Sequence, residues 1–370
     1  MPRLGMLLTL CAIASVADYR QCRADDDPSV AGKKVSEWTK LLEKDETPRV
    51  RRAAVIALGI AGPKTPGVVG TLAQALRKDK EAEVRREAVQ VLRDMGDNAL
   101  DALPALLEAL REDSDDGVRQ TAAVALGRIA KNARSAVVPL TAALKDKHPG
   151  TRAAAAESLG QFGREANDAT EELVVCLLDK SNDRFVRSYA AISLGRIKGD
   201  PDTVVPALVK VLGEDLHMEL RDTLIESLGQ YGGRAAEATP LLIKFAKEPT
   251  ANTRRKAVVT LGRIGREASS AVPTLCELLK AKESDKVLLS AVIRTLGAFG
   301  KEARDAVPDL VEKCKGDVLL EVRLAAIEEL GNIGPDAKLA VGILTIAQKD
   351  GRADVREAAG ESLKKIQGTP

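Results

Sequence analysis

The most regular chemistry in this sequence belongs to its arginines. Arg51, Arg85, Arg119, Arg152, Arg187, Arg221, Arg254, Arg323 and Arg356 each stand seven residues before a recurring leucine; Leu289 takes the place of the arginine in one further copy. An acid stands six residues before this position in nine copies: Asp45, Asp79, Asp113, Asp146, Asp215, Glu248, Glu283, Asp317 and Asp350. The remaining copy has Ser181 there, flanked by Asp179 and Asp183. Such a set could bind anions as a track or form ion pairs inside the fold. Because each arginine has its own acid nearby, internal pairing is the expectation. Little else offers reactivity. The chain has two histidines, His148 and His217, about 70 residues apart, too few for a nucleophilic triad or a metal centre. Cys176, Cys276 and Cys314 each lie in an apolar helical stretch and read as small core residues. No catalytic residue, metal ligand or cofactor is expected.

The elements that position these residues follow from a repeat of about 34 residues. The aligned leucines are Leu58, Leu92, Leu126, Leu159, Leu194, Leu228, Leu261, Leu296, Leu330 and Leu363, and a glycine follows most of them. Around Leu126, Val118 and Ala122 recur at helical spacing, predicting a helix from about Val118 to Ile129 with one buried stripe. Gly127 leaves room there for a second helix to approach. A break rich in Gly, Lys and Asn follows. Then Asp101, Ser135, Asp168, Ser270 or Asp305 reads as the cap of another helix, with Pro104, Pro139, Pro206, Pro240, Pro273 or Pro308 in its first turn. Each unit is therefore a helix pair. The expected fold is all-α, an α-solenoid of about ten pairs over residues 34–366, with a tail at 367–370.

The N-terminus differs. Arg3 precedes the apolar stretch Leu4–Ala17, which has signal-peptide length. Cleavage after Ala17 or Ala24 fits, and Ala24 is favoured because the acidic run at Asp25 reads as a mature start. Residues 1–24 are expected to be a signal peptide and 25–33 a short linker. The protein is then exported, periplasmic or extracellular, with no stable membrane insertion after the signal is removed. The chain has formal net charge +2 and 2% aromatic residues. Losing residues 1–24 leaves 53 basic and 53 acidic residues, a balance that argues against a nucleic-acid partner.

The turn acid, the Val-Arg pair of "EVR" (Glu83–Arg85, Glu321–Arg323) and "DVR" (Asp354–Arg356), the alanine cluster, Leu-Gly and the "AVP" before the first helix resemble HEAT repeats, specifically the phycobilisome-lyase HEAT-like type. The resemblance covers Lys34 to about Ile366. It implies a right-handed solenoid, a ladder between the turn acid and the arginine of neighbouring units, and second helices lining a concave face. Enzymes with such repeats set requirements the chain does not meet. Iron-dependent deoxyhypusine hydroxylases need several His-Glu ligand pairs, and HEAT-like DNA glycosylases need a basic groove with aromatic side chains. Bilin lyases act inside the cell, which conflicts with an export signal.

A second period of about 68 residues overlies the first. "AVALGRIA", "AISLGRIK" and "VVTLGRIG" alternate with "AESLGQFG" and "IESLGQYG". Counting from the arginine as zero, positions 1, 5 and 9 point away from the buried stripe at about 100° per residue. Positions 5 and 9 read Val124/Arg128, Ile192/Arg196 and Val259/Arg263, alternating with Glu157/Gln161 and Glu226/Gln230. Position 1 adds Arg52, Arg86 and Arg255, making the early groove more basic. Duplication of a two-repeat block, lateral pairing of Arg128, Glu157, Arg196, Glu226 and Arg263, and a groove that reads an extended partner all fit. The expected function is a non-catalytic scaffold that binds a protein partner in this groove. The alternative is an accessory subunit resembling bilin-lyase HEAT-like proteins, acting on a protein-bound cofactor; an apolar pocket of tetrapyrrole size would favour it.

Overall fold

The computed structural model describes residues 27–129, 134–214, 216–281, 285–315 and 319–368. The expected signal peptide, 1–24, lies outside them. Each sequence repeat folds as two helices joined at the acid turn, and the contacts divide the chain into two units, Met1–Ala130 and Lys131–Pro370. The first unit holds α1 (Val35–Lys44), α2 (Pro48–Ala61), α3 (Val68–Lys78), α4 (Ala82–Met95), α5 (Leu103–Glu112) and α6 (Asp116–Ile129). The second holds α7 (Val137–Ala143), α8 (Pro149–Phe162), α9 (Thr170–Leu178), α10 (Arg184–Ile197), α11 (Pro201–Leu212), α12 (Met218–Gly229) and α13 (Thr239–Ala246). It continues with α14 (Ala251–Ile264), α15 (Val272–Lys280), α16 (Lys286–Phe299), α17 (Val307–Lys313), α18 (Leu320–Ile333), α19 (Val341–Ala347) and α20 (Ala353–Gln367). Ten helix pairs, stacked as an α-solenoid within each unit, are what the repeat predicted.

One element is not helical. Ser29–Val30 pairs antiparallel with Lys33–Lys34 inside the stretch expected as a linker. The turn needs left-handed backbone, supplied by Ala31 (φ 50°) and Gly32 (φ 81°). The Asp27 carboxylate accepts from the Ser36 hydroxyl at 2.6 Å, and Trp38 Nε1 donates to the Val30 carbonyl at 2.8 Å. The ribbon is thereby fastened to α1.

The break between pairs is more ordered than its composition suggests. Second helices end at a glycine of positive φ, such as Gly96, Gly163, Gly232 and Gly300, as a helix C-terminus favours. Among the described residues seven 3₁₀ stretches lie in these breaks, among them Gly96–Ala102, Arg134–Ala136 and Gly300–Ala306. The expected caps Asp101, Ser135, Asp168, Ser270 and Asp305 fall inside these turns and do not cap. The N-cap positions are Ala102, Ala136, Ala169, Ala271 and Ala306, none with a side-chain bond. The reason is that the 3₁₀ turn satisfies the first amides itself: the Leu103 N–H donates to the Leu100 carbonyl. Pro206 also departs from expectation. Asp200 caps an earlier start of α11, at Pro201, which leaves Pro206 inside the helix.

The core runs along the second helices. Val118, Ala122 and Leu126 are fully buried, and the leucine of every pair is buried. In the second unit α8, α10, α12, α14, α16, α18 and α20 pack in sequence, while the first helices meet one another far less. The glycine after the leucine makes this approach possible. A Cβ on Gly331 would lie 2.9 Å from Ser362 Cα, and one on Gly262 would lie 3.3 Å from Thr295 Cα. Hydroxyls use the same approach. Ser193 donates to the Ala156 carbonyl at 2.6 Å, Thr260 to Ile225 at 3.1 Å, Thr295 to Val258 at 2.9 Å and Ser362 to Ile327 at 2.8 Å. Each rung satisfies a buried hydroxyl with a second acceptor bond on a helical carbonyl.

Candidate protein-binding face

The arginines at position zero are structural. In the first unit Arg51 grips Asp79 with Nε at 2.7 Å and Nη2 at 2.8 Å, while its Nη1 donates to the carbonyls of Asp45 and Glu46 at 3.0 Å. Arg85 repeats this arrangement on Asp113 at 2.7 Å and the Asp79 carbonyl at 3.0 Å. Each guanidinium therefore ties its own acid turn to the next one. In the second unit Arg187 reaches Glu214 at 3.1 Å and Arg323 reaches Asp350 at 2.7 Å. Arg221 sits more loosely, 3.8 Å from Glu248. The copy without an acid is completed by Asn182, not by Asp179 or Asp183: Arg152 Nε donates to Asn182 Oδ1 at 2.7 Å. Asp215, Glu283 and Asp317 lie outside the described residues. Leu289 is buried where the arginine would be.

The remaining chemistry is inert or scattered. Burial pushes the Cys176 and Cys276 thiols up to about 11 and Cys314 up to about 12, the opposite of an activated nucleophile. Cys276 is half-buried, not fully buried as expected. His217 is exposed near Arg184 and Glu219, and His148 precedes α8. Among the described residues no His, Cys, Asp and Glu cluster could hold a metal, and no helix is long and apolar enough to cross a membrane.

Positions 5 and 9 do face outward. In the first unit Arg52, Arg86 and Arg128 are exposed and Val124 is half-buried, with Ile56 and Ile60 exposed beside them. The expected basic character of this part is a misreading. Arg52 pairs with Glu87 at 2.7 Å and Arg86 with Asp115 at 2.5 Å, because stacking brings an acid of the next repeat beside each. The Arg86 bond holds the Asp115 carboxyl below the usual carboxylate range.

In the second unit Glu226, Val259, Arg196 and Arg263 are exposed, and Glu157 and Ile192 are half-buried. Lateral pairing along this row is absent among the described residues. Glu226 turns to Lys256 at 2.7 Å, which also lies 3.4 Å from Asp222. Arg255 lies 3.7 Å from Asp285. Arg263 instead lays its stem over Gly229, its Cδ 3.1 Å from where a Cβ would stand. The other half of the alternation is core: Phe162 and Tyr231 are buried, and the Tyr231 hydroxyl donates to the Leu194 carbonyl at 2.8 Å.

The face is not uniform. Between α14, α16 and the start of α18 lies an open concavity of about 680 Å³, floored by Val259, Val287, Ala291 and Ala298 and edged by Arg263, Lys286, Arg294 and Glu321. Lys286, Val287 and Arg294 were not among the residues singled out from sequence. Their signal was present in Ala298, a small residue at position 9, where neighbouring repeats carry Arg263 and Asn332.

The description "HEAT repeats" matches overlapping segments from residue 35 to residue 364: 35–127, 103–194, 137–229, 170–251, 205–292 and 272–364. The search of curated proteins returns no match. Among solved structures, an engineered protein is 23% identical with a TM-score of 0.63, over 90% of this chain and 98% of that one. Importin beta is 14% identical with a TM-score of 0.59, over 90% of this chain and 52% of its own. The complex of CpcE and CpcF of phycocyanin lyase from Nostoc sp. is 23% identical with a TM-score of 0.40, over 71% and 94%. At these identities the first two bear on the fold alone. Helix pairs, turn ladder and matched segments agree over nearly the whole described chain, which belongs to the HEAT-repeat family.

Proposed function

We propose that the protein is a non-catalytic scaffold that binds an extended protein partner on the face formed by its second helices. The carrying observation is the state of positions 5 and 9 in the second unit. Arg196 and Arg263 are exposed charges with no ion pair among the described residues, on helices whose other faces are consumed by packing and by the arginine ladder. Charges that fold stability does not use are available for a partner. In the first unit the candidates are Val124 and Arg128, with Arg52 and Arg86 held by internal acids. In the second they are Glu157, Ile192, Arg196, Glu226, Val259 and Arg263. The openness of the concavity beside Val259 suits a protein segment better than an enclosed cofactor. We also propose export, on the strength of Leu4–Ala17; N-terminal sequencing after expression in a Gram-negative host would find processing after Ala17 or Ala24, and an intact Met1 would overturn it.

The test of binding is a pull-down on the immobilised chain, with retained proteins identified by mass spectrometry. The double variant Arg196→Glu/Arg263→Glu should lose the retained partner while melting as the parent does, since exposed substitutions shift stability by under about 0.5 kcal/mol each. Retention of the same partner by the double variant would overturn the reading.

A further inference from the structure

The concavity between α14, α16 and α18 differs from the rest of the face in charge and in shape. Elsewhere on the face several cations are answered from within, Arg52 by Glu87, Arg86 by Asp115 and Lys256 by Glu226, and Arg196 stands on the row as a single exposed charge. Here Arg263, Lys286 and Arg294 edge a single hollow, and none has a carboxylate within ion-pair distance among the described residues. Three like charges around one hollow, with Glu321 the single carboxylate on its edge, leave a net positive site, and an acidic ligand relieves their repulsion.

The shape has a cause in the sequence. Position 9 carries a long side chain in Arg196, Gln230, Arg263 and Lys365, whereas here it is Ala298. Position 1 is Ser290 where the preceding repeat has Arg255. The two small residues hollow the face and bare Val259 and Val287, which are 39% and 60% exposed. The resulting space falls within the range of about 300–1,000 Å³ found for ligand sites. An apolar floor edged by three cations and one carboxylate asks for an apolar group flanked by negative charge.

We propose that this hollow is a docking subsite for an extended acidic segment of a partner protein. One aliphatic side chain rests on Val259, Val287 and Ala298, and carboxylates on either side of it meet Arg263 and Arg294. Glu321 closes one end and disfavours a continuous polyanion. The inference rests on the protein-binding reading and names the chemistry of its partner.

The probe is a short fluorescein-labelled peptide with one leucine between pairs of glutamates, titrated by anisotropy against the full chain at low ionic strength. Saturable binding is expected. Arg263→Ala/Arg294→Ala should weaken it ~10-fold, the combined loss of two exposed charge contacts. Replacing the peptide leucine by serine should weaken it by a similar ~10-fold, the loss of one partly buried aliphatic side chain. Ala298→Gln, which restores the long side chain of neighbouring repeats without charge, should do the same by filling the floor. Circular dichroism melts of each variant should match the parent. The proposal is overturned if the leucine peptide does not bind, if the serine peptide or a single-stranded oligonucleotide binds as tightly, or if Ala298→Gln binds like the parent. In the pull-down, a partner lost by Arg196→Glu and kept by Arg294→Glu sinks the subsite and leaves the scaffold reading standing. A partner kept by both sinks the scaffold reading itself.

Discussion

Arg51 and Asp79 stand 28 residues apart in sequence and face each other as a two-pronged pair, Nε to Oδ2 at 2.7 Å and Nη2 to Oδ1 at 2.8 Å, with both side chains nearly excluded from solvent. The same guanidinium holds two carbonyls of its own turn. Removing it strands a buried carboxylate and two carbonyls together. Arg51→Ala should therefore cost about 3 kcal/mol, as breaking a buried pair does. Thermal melts would measure it. Replacing both partners with apolar residues of similar size should cost less than the single change, and an Arg51→Ala melt equal to the parent's would show the rung to be decorative.

The same pair sets a pH dependence. Burial raises the Asp79 carboxyl, but the Arg51 hydrogen bond and the Glu81 amide outweigh it and hold its pKa below the ordinary value. A carboxylate depressed in the folded state stabilises above its unfolded pKa of about 4 and loses that contribution as pH falls through the folded value. Glu214 and Asp350 are depressed as well, by Lys180 and by the Arg352 amide before their ladder arginines. The melting temperature should hold from neutral pH to about 5 and fall below about 4. Asp79→Asn should start lower at neutral pH and fall less steeply in acid. An equal acid slope in parent and variant would remove Asp79 from the account.

How much of this was legible depended on whether side-chain type alone decided a role. Leu126 and its equivalents had to be buried, and the acid and arginine at fixed offset had to meet across a turn. Asn182 was hidden because its slot is shifted by one from Ser181, and only the stacked turns show which atom faces Arg152. The pairing of Arg52 with Glu87 was hidden for a related reason: 35 residues separate them, and helix packing decides the register. The hydroxyl rungs were half visible. A serine or threonine precedes Leu-Gly in Ser193, Thr260 and Thr295, but its acceptor is a backbone carbonyl that leaves no mark on the sequence. Glu329 occupies that slot once, over Gly297, where burial raises its pKa.

The close approach at the glycines makes a sharp structural claim. Gly331→Ala would put a Cβ 2.9 Å from the Cα of Ser362, a backbone atom that cannot rotate away. The α18–α20 contact would have to open, at a cost of roughly 1–3 kcal/mol. Ser362→Ala alone should cost about 1 kcal/mol through the lost bond to the Ile327 carbonyl. It should not rescue Gly331→Ala, because the clash is with backbone. A double variant as stable as Ser362→Ala would show that the hydroxyl, not the backbone distance, requires the glycine.

Lys198 provides the opposite experiment. It closes α10 in the left-handed conformation, φ 55° and ψ 46°, its amide bonded to the Leu194 carbonyl. Gly163, Gly232, Gly265, Gly300 and Gly334 take positive φ at the equivalent place. A side chain there crowds its own carbonyl, at roughly 1–2 kcal/mol in a left-handed residue. Glycine removes that strain but loses more freedom on folding, which offsets part of the gain. Lys198→Gly should therefore raise stability by about 0.5–1 kcal/mol. Lys198 is exposed and makes no ion pair among the described residues, so no contact is lost. Lys198→Ala is the control: it keeps the strain and removes the charge, and should melt like the parent. Chemical denaturation of the three chains separates the outcomes. A glycine variant less stable than the alanine variant would mean that this helix end carries no strain.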